Sequence, residues 1–159
     1  MDNVLFYNCT KCGNVVMSLK DYGSDMSCCG ESMVKLVANS TEAANEKHLP
    51  IVDVDGSKIT VTVGSVYHPM NPEHYIEWIA IVMGEKVEIV HLKPGVLPKA
   101  IFTYESLQEE EGFTEEENQF LANCEGQPCN FVYDEEPLMK VTVYAYCNIH
   151  GLWKTVIEY

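Results

Sequence analysis

Apolar and polar residues alternate strictly from Ile59 to Val63, where isoleucine or valine takes every second position and threonine lies between them. A period of two places the apolar side chains on one face of a β-strand and the polar ones on the other. Four more segments are β-rich or alternate in this way, at residues 75–83, 86–92, 140–146 and 152–159. Turn pairs such as Asp55-Gly56 separate them. The pattern predicts a mainly β fold, with short strands in an antiparallel sandwich.

A short polar segment at residues 38–45 divides the chain. It contains only small or polar residues, a composition typical of a linker. Residues 1–37 are too few to bury an adequate apolar core, so we expect a bound metal to stabilise them. The sequence therefore predicts a small metal-binding domain at 1–37 and a larger β-sandwich domain at 46–159.

An acidic insertion interrupts the predicted sandwich at about residues 105–137. It holds eleven acidic residues and no basic one, in a chain whose net charge is −14. Thr114 and Glu117 fit a capping box at the start of a short helix. Cys124 and Cys129 belong to no recognisable motif; they could form a redox-sensitive disulfide or lie in a contact patch, but free thiols are expected. The insertion is predicted to be a solvated excursion from the surface.

The charge also argues against a nucleic-acid partner, because phosphate contacts require clustered Lys and Arg, and the sequence contains no Arg. No apolar stretch approaches the roughly 20 residues that span a bilayer. The first residues have neither the basic start nor the apolar stretch of a secretory signal. We therefore expect a cytoplasmic protein without a membrane segment, in which clustered cysteines stay reduced and bind metal.

Four cysteines in the N-terminal segment form a first candidate metal site. Cys9 and Cys12 have the Cys-x-x-Cys spacing, which lets two sulfurs point toward one ion, and Cys28 and Cys29 supply a second pair. Neighbouring side chains of a strand point to opposite faces, so the adjacent pair requires a bent backbone, which Gly30 facilitates. Four thiolates suit iron or zinc, and the residues alone leave both open.

A second candidate site combines one cysteine with four histidines. Cys147 and His150 are three residues apart, and His48, His68 and His74 each lie in a distinctive local sequence upstream. One thiolate with several imidazoles differs from the usual closed tetrahedral zinc site. The combination favours a nitrogen-rich iron centre with one sulfur ligand.

The sequences around these residues resemble those of the superoxide reductases, and the chain as a whole resembles desulfoferrodoxin, their two-iron form. The matching strings are Cys9-Thr10-Lys11-Cys12, Cys28-Cys29-Gly30, Glu46-Lys47-His48-Leu49-Pro50, Tyr67-His68-Pro69, His74-Tyr75-Ile76-Glu77-Trp78 and Cys147-Asn148-Ile149-His150-Gly151-Leu152-Trp153. The resemblance covers residues 1–104 and 138–159. It implies a desulforedoxin-like domain followed by an immunoglobulin-like antiparallel β-sandwich. His91 matches no ligand position of the family and is interpreted as an ordinary polar residue.

The resemblance also implies two non-haem irons per chain. One would be bound by Cys9, Cys12, Cys28 and Cys29, and the other by His48, His68, His74, His150 and the axial Cys147. The implied activity is the one-electron reduction of superoxide to hydrogen peroxide, with electrons from a carrier such as rubredoxin, in a homodimer. Lys47 would attract superoxide and help to protonate the product, and Glu46 would cap the oxidised iron.

Two other functions fit parts of the sequence. In a non-catalytic electron-transfer protein both irons would only exchange electrons, and such a carrier needs neither Lys47 nor an open coordination position. In a structural or regulatory module the metal would be zinc, and the set of four histidines argues against that. A superoxide reductase is the expected function.

Overall fold

The structure is a computed structural model that describes residues 4–20, 23–40, 45–104 and 139–158. Within these residues the chain forms twelve strands and one short helix. The strands are β1 (Leu5–Asn8), β2 (Val15–Ser18), β3 (Ser27–Cys28), β4 (Glu31–Ser32), β5 (Val34–Lys35), β6 (Pro50–Asp55), β7 (Lys58–Val63), β8 (Ile76–Met83), β9 (Lys86–His91), β10 (Lys99–Thr103), β11 (Lys140–Cys147) and β12 (Gly151–Glu158), and α1 is Asn45–His48. Neighbouring strands pair antiparallel, which confirms the predicted mainly β fold.

Two sheets pack face to face after residue 45. One has the strand order β10-β7-β6 and the other β12-β11-β8-β9. The alternation in β7 is confirmed, because Ile59, Val61 and Val63 are fully buried while the threonines between them are partly exposed. The buried side chains of both sheets form one core: Ile59, Val61, Val63, Ile76, Ile79, Ile81, Met83, Ala100, Phe102, Val141, Val143, Ala145 and Cys147. Burial of this apolar surface is the main free-energy source that holds the sheets together.

Strands β8 and β11 are apolar on both faces. Ile79 and Ile81 of β8 face the three-stranded sheet, whereas Trp78, Ala80 and Val82 face a second cluster on the opposite side. That second cluster also holds side chains of β11, β12 and the N-terminal residues: Val4, Phe6, Tyr144, Tyr146 and Leu152. Coverage of both faces explains why these two strands are almost continuously apolar instead of alternating.

A β-bulge at Glu77 lies where β8 begins. Trp78 pairs with Tyr146, but Cys147 pairs with Ile76, so one extra residue is inserted on β8. The insertion turns Ile76 into the core between the sheets, and Cys147 lies on the core side at the last position of β11. Cys147 continues the alternation of Val143 and Ala145 in β11, and this alternation places its sulfur on the core side at one end of the sandwich.

The N-terminal residues pack on the outer face of the four-stranded sheet. They form a sheet of order β2-β1-β5 and a small β3-β4 hairpin. The ring centroid of Phe6 lies 5.1 Å from those of both Trp78 and Tyr144. Asn39 attaches this part to β12, because its side chain donates to the carbonyl of Lys154 at 3.0 Å and accepts from the Lys154 N–H at 2.7 Å. The division at 38–45 into two domains stays a prediction.

Every strand predicted from the sequence is present, with ends that differ by about one residue. Strands β1–β5, β6 and β10 were not predicted. Val52 and Val54 of β6 alternate with aspartates, but aspartate is depleted in strands, and β10 is only five residues long. The acidic insertion, its capping box, Cys124 and Cys129 lie outside the described residues. Among the described residues, no helix has the length and apolar character needed to cross a membrane.

Candidate metal centres

One end of the sandwich gathers the five residues predicted for the second site. His48 ends α1 just before β6, and His68 follows β7, so both lie at the same end of the three-stranded sheet. His74 precedes β8, Cys147 ends β11 and His150 precedes β12, at the same end of the four-stranded sheet. The candidate ligand atoms of all five lie within 4.8 Å of one another. Antiparallel pairing thus brings together residues that are far apart in sequence.

The four imidazoles occupy the corners of a square. The centroids of neighbouring rings are 4.6 Å apart for His48–His68, 4.5 Å for His68–His74, 4.8 Å for His74–His150 and 4.6 Å for His48–His150. Along one diagonal, His48 and His74 are 6.2 Å apart, so its midpoint lies about 3.1 Å from either centroid. A metal bound to a ring nitrogen at about 2.1 Å lies roughly 3 Å from the ring centroid. The square therefore has the size that one metal ion requires.

The ring nitrogens of this square have lone pairs for a metal. Nδ1 of His68 donates to the carbonyl of Pro69 at 2.6 Å, which fixes the tautomer and leaves the lone pair on Nε2. Within the described part of the chain, Nε2 of His68 and Nε2 of His74 are buried without a hydrogen-bond partner. Buried polar atoms without a partner are rare because they cost free energy. A metal ion bound by both nitrogens removes that cost, so the residues fit a metal.

Cys147 supplies the sulfur of this cluster. Its side chain is fully buried, and Sγ lies 3.6 Å from Nδ1 of His150. Burial raises the pKa of the Cys147 thiol, and the backbone N–H of His150, whose nitrogen lies 3.4 Å from Sγ, partly opposes that rise. A buried thiolate needs a nearby positive charge, and a metal ion supplies one.

The histidines favour the neutral state that binds metals. Burial lowers the pKa of His68 to about 4, an effect that the hydrogen bond to Pro69 only partly offsets. Burial also lowers the pKa of His74, and the charges of His150 and Lys47 lower it further. Lys47 directly precedes His48, and its side chain is exposed.

A close backbone contact positions the turn that carries His48. The carbonyl of Glu46 accepts from the Val66 N–H and from Oγ of Ser65, each at 3.2 Å. A Cβ on Gly64 would lie 2.8 Å from the carbonyl oxygen of Lys47 and 2.4 Å from that of Val66. The φ of Gly64 is +85°, which also disfavours any other residue. Glycine is therefore required where the turn after β7 meets α1.

Two residues beside the square were not identified from the sequence. The ring of Trp153 is fully buried and stacks on that of His48, with centroids 4.7 Å apart and an interplanar angle of 21°. Asn148 makes hydrogen bonds to the backbone on both sides of His74. Both lie in the string 147–153 that carries the family resemblance, but the spacing of residues in a string does not reveal such contacts.

The four N-terminal cysteines form a separate cluster. Sγ of Cys28 lies 3.6 Å from that of Cys12 and 3.8 Å from that of Cys29, and all four sulfurs are within 4.8 Å of one another. Cys29 and Gly30 are the central residues of the β3-β4 hairpin and have φ values of 52° and 79°. Positive φ at both positions is the geometry of a type I′ turn. The predicted bend is confirmed, and it explains how adjacent cysteines face one ion.

The sulfurs of this cluster do not ionise equally. The backbone N–H groups of Cys12 and Lys11 lower the pKa of Cys9 to about 7. The sulfurs of Cys12 and Cys28 raise the pKa of Cys29 to about 12. A bound cation would allow all four to be thiolates at once, so this donor set also fits a metal. Cys12 and Cys29 are exposed, and the site lies at the protein surface.

All nine residues predicted as ligands lie in these two clusters, and the part of the chain described by the structure contains no third cluster of this kind. Glu46 and Lys47, predicted to act beside the iron, are exposed residues of α1 directly before His48. His91 ends β9 opposite Trp78 and belongs to neither cluster. The individual roles of these residues stay predictions.

Comparisons with known proteins agree with this arrangement. Residues 40–156 match the family model described as desulfoferrodoxin. The desulfoferrodoxin of Clostridium acetobutylicum is 40% identical over 145 residues, which cover 91% of this chain and 90% of the other. The superoxide reductase of Pyrococcus horikoshii is 27% identical over 131 residues, 79% of this chain and 98% of the other. In fold, the chain is similar to the crystal structure of the superoxide reductase from Treponema pallidum, with a TM-score of 0.65, 24% identity and coverage of 96% and 98%.

Proposed function

The chain belongs to the desulfoferrodoxin family, and from this membership we propose that it is a superoxide reductase. The proposed reaction consumes one superoxide, one electron and two protons and yields one hydrogen peroxide. The two clusters are the two iron sites of the family, one with four cysteines and one with four histidines and a cysteine. The observation that supports the activity most strongly is the square of four imidazoles joined by the buried sulfur of Cys147.

The ligand set suits one-electron chemistry at the second site. Iron bound there would supply the electron that superoxide accepts. Neutral imidazoles from His48, His68, His74 and His150 favour the ferrous state, because they add no negative charge. The Cys147 thiolate donates electron density, as the axial thiolate does in haem enzymes of that type.

Superoxide can reach this end of the sandwich. His74 and His150 are only partly buried, and the residues beside the ligands, Val66, Tyr67 and Ile149, are 57%, 63% and 58% exposed. Exposure on this side fits a catalytic centre that must admit its substrate.

Lys47 is proposed to guide the anion and to supply a proton. It is exposed, directly precedes His48, and its charge lowers the pKa of His74. A cation at the mouth of a site raises the local concentration of an anion, and an ammonium can pass a proton to the developing peroxide. Glu46 is the proposed cap of the oxidised iron between turnovers.

The electron must come from outside, because the reaction does not return one to the iron. We propose a small carrier such as rubredoxin as donor, acting in the cytoplasm on a homodimer of this chain. The four-cysteine site is a suitable point of entry, since Cys12 and Cys29 expose their side chains at the surface.

The test is to mix fully reduced protein with a limiting amount of superoxide and to follow the visible spectrum. The proposal predicts that the thiolate-to-iron band of the second site appears first, while the four-cysteine site stays reduced. In a pure electron carrier neither site would react preferentially with superoxide. Oxidation of the four-cysteine site before the other would contradict the proposed site of reaction.

A further inference from the structure

Asn148 joins the two loops that supply ligands from the four-stranded sheet. It directly follows Cys147, and its side chain reaches the turn that carries His74. Oδ1 accepts from the backbone N–H of Tyr75 at 2.9 Å, and Nδ2 donates to the carbonyl of Glu73 at 2.9 Å. The backbone N–H of Asn148 donates to the carbonyl of Tyr75 at 3.2 Å. One residue thus makes three hydrogen bonds to the two neighbours of His74.

The turn around His74 depends on such bonds because regular pairing has ended there. Asn71 and His74 close a tight turn through two mutual backbone bonds of 3.0 and 3.1 Å. The bulge at Glu77 lies between this turn and the regular ladder of β8 with β11. Asn71 and Glu73 are exposed, so little packing holds the turn from outside. Asn148 therefore fixes the turn to the loop after β11 at the point where the ladder is interrupted.

The chemistry of the side chain matches both partners. A carbonyl oxygen and an amide N–H₂ are needed together, since one partner donates and the other accepts. A carboxylate of the same length can accept from Tyr75 but cannot donate to Glu73. An apolar side chain can do neither. Only the asparagine amide at this position satisfies both bonds.

We propose that Asn148 is a positioning residue that holds His74 in place as the fourth imidazole of the second site. The inference rests on the proposed function, because it requires a metal in that site. Without the two side-chain bonds, only the backbone N–H of residue 148 still joins the turn to the loop after β11, so His74 can leave the site more easily. Three histidines and Cys147 would remain, and four donors are the set that tetrahedral zinc prefers.

The test uses the intact chain of 159 residues with cobalt(II) as the probe. Cobalt bound by thiolate absorbs visible light, and its spectrum reports the coordination number. Asn148→Ala should weaken cobalt binding at the second site by about 10- to 100-fold, as is typical when a group that orients a ligand is removed. The spectrum of the cobalt that still binds at the second site should change toward that of a four-coordinate ion. The four-cysteine site in the same chain should be unchanged and serves as the internal reference.

A second readout needs no metal. Oδ1 of Asn148 accepts a hydrogen bond from the Tyr75 N–H, so this amide hydrogen should exchange with solvent faster in Asn148→Ala. Asn148→Asp keeps an accepting oxygen, so it should restore protection of that amide. It should still alter the second-site cobalt spectrum, because the bond to Glu73 is lost. If Asn148→Ala does not fold, Asn148→Asp by itself tests the role of Asn148.

Asn39 offers a matched control. Its side chain makes the same two kinds of bond to Lys154, and glycine tolerates its φ of 57°. Asn39→Gly should leave cobalt binding at both sites unchanged. Unchanged second-site affinity and spectrum in both Asn148 variants would overturn the role of Asn148. A wild-type chain that takes up cobalt only at the four cysteines would instead overturn the proposed second centre, and this inference with it.

Discussion

Nε2 of His48 lies 2.9 Å from Nδ1 of His150, although 102 residues separate the two histidines. At that distance the two nitrogens share a single proton, because one must donate and the other must accept. A metal bound by both nitrogens needs a lone pair on each, so the shared proton would move to the other nitrogen of its ring and both imidazoles would stay neutral. The Cys147 thiol has to lose its proton to bind the same metal, so acid should oppose metal binding at this site.

Without metal, the protein should lose stability as the pH falls from about 6.5 to about 4. The pKa of His68 is lowered from 6.5 to about 4 in the fold, so in this window the unfolded chain binds the proton more readily. The loss should reach at most about 3 kcal/mol, at about 1.4 kcal/mol per pKa unit. Urea unfolding of chelator-treated protein at several pH values measures it. His68→Gln should reduce the dependence of the unfolding free energy on pH, whereas His91→Gln, a change at an exposed residue, should not. Equal pH dependence in the wild type and in both variants would refute the attribution of this effect to His68.

Cys147→Ser should abolish the thiolate-to-iron absorption of the oxidised second site. The four-cysteine site should keep its colour, because it lies in the separate N-terminal part of the chain. Visible spectra of the oxidised wild type and variant make the comparison. If the second-site band survived in Cys147→Ser, Cys147 would not be a ligand of that iron.

Gly64→Ala should destabilise the protein and weaken metal binding at the second site. Its Cβ would lie 2.4 Å from the carbonyl oxygen of Val66 and 2.8 Å from that of Lys47, so the turn before His48 has to shift. We expect a loss of at least about 2 kcal/mol, from the backbone strain and the clash together. Unfolding curves and iron content measure both effects.

Gly56→Ala is the matched control, because Gly56 also has a positive φ, of +55°, but its Cβ would meet no atom within 4 Å. It should cost about 1 kcal/mol from backbone strain alone and should leave the metal site intact. Equal effects of the two substitutions would mean that the contact between Gly64 and Lys47 does not position His48.

Most features of the fold and of the site that depend on local periodicity or on residue spacing could be predicted from the sequence. The alternation of Ile59, Val61 and Val63 defined a strand, and the local strings around the cysteines and histidines predicted which residues would gather. The bulge at Glu77 and the hydrogen bonds from Asn148 to the turn around His74 could not be predicted. Both depend on pairing between β8 and β11, which are more than fifty residues apart in the chain. Such contacts follow from the register of strands, and a short string carries no information about register.

Lys47→Ala should slow the reaction with superoxide and leave the iron content unchanged. Lys47 is exposed and directly precedes His48, so removing its charge should lower the attraction for the anion. The decline of the rate with added salt should also become weaker, since salt screens that attraction. Stopped-flow rates at several ionic strengths test both points. Lys58 is an exposed lysine at the opposite end of β7, so Lys58→Ala should keep the wild-type rate and its dependence on salt. If Lys47→Ala also kept both, Lys47 would not steer superoxide to the site.

The most direct test of superoxide reductase activity is the product stoichiometry when superoxide, in excess over the iron-loaded protein, is consumed in the presence of a reduced carrier. A superoxide reductase yields one hydrogen peroxide for each superoxide consumed, oxidises one electron equivalent of carrier and releases no oxygen. We predict that result. Release of one oxygen for every two superoxide ions, or consumption of superoxide without oxidation of the carrier, would contradict the proposed function.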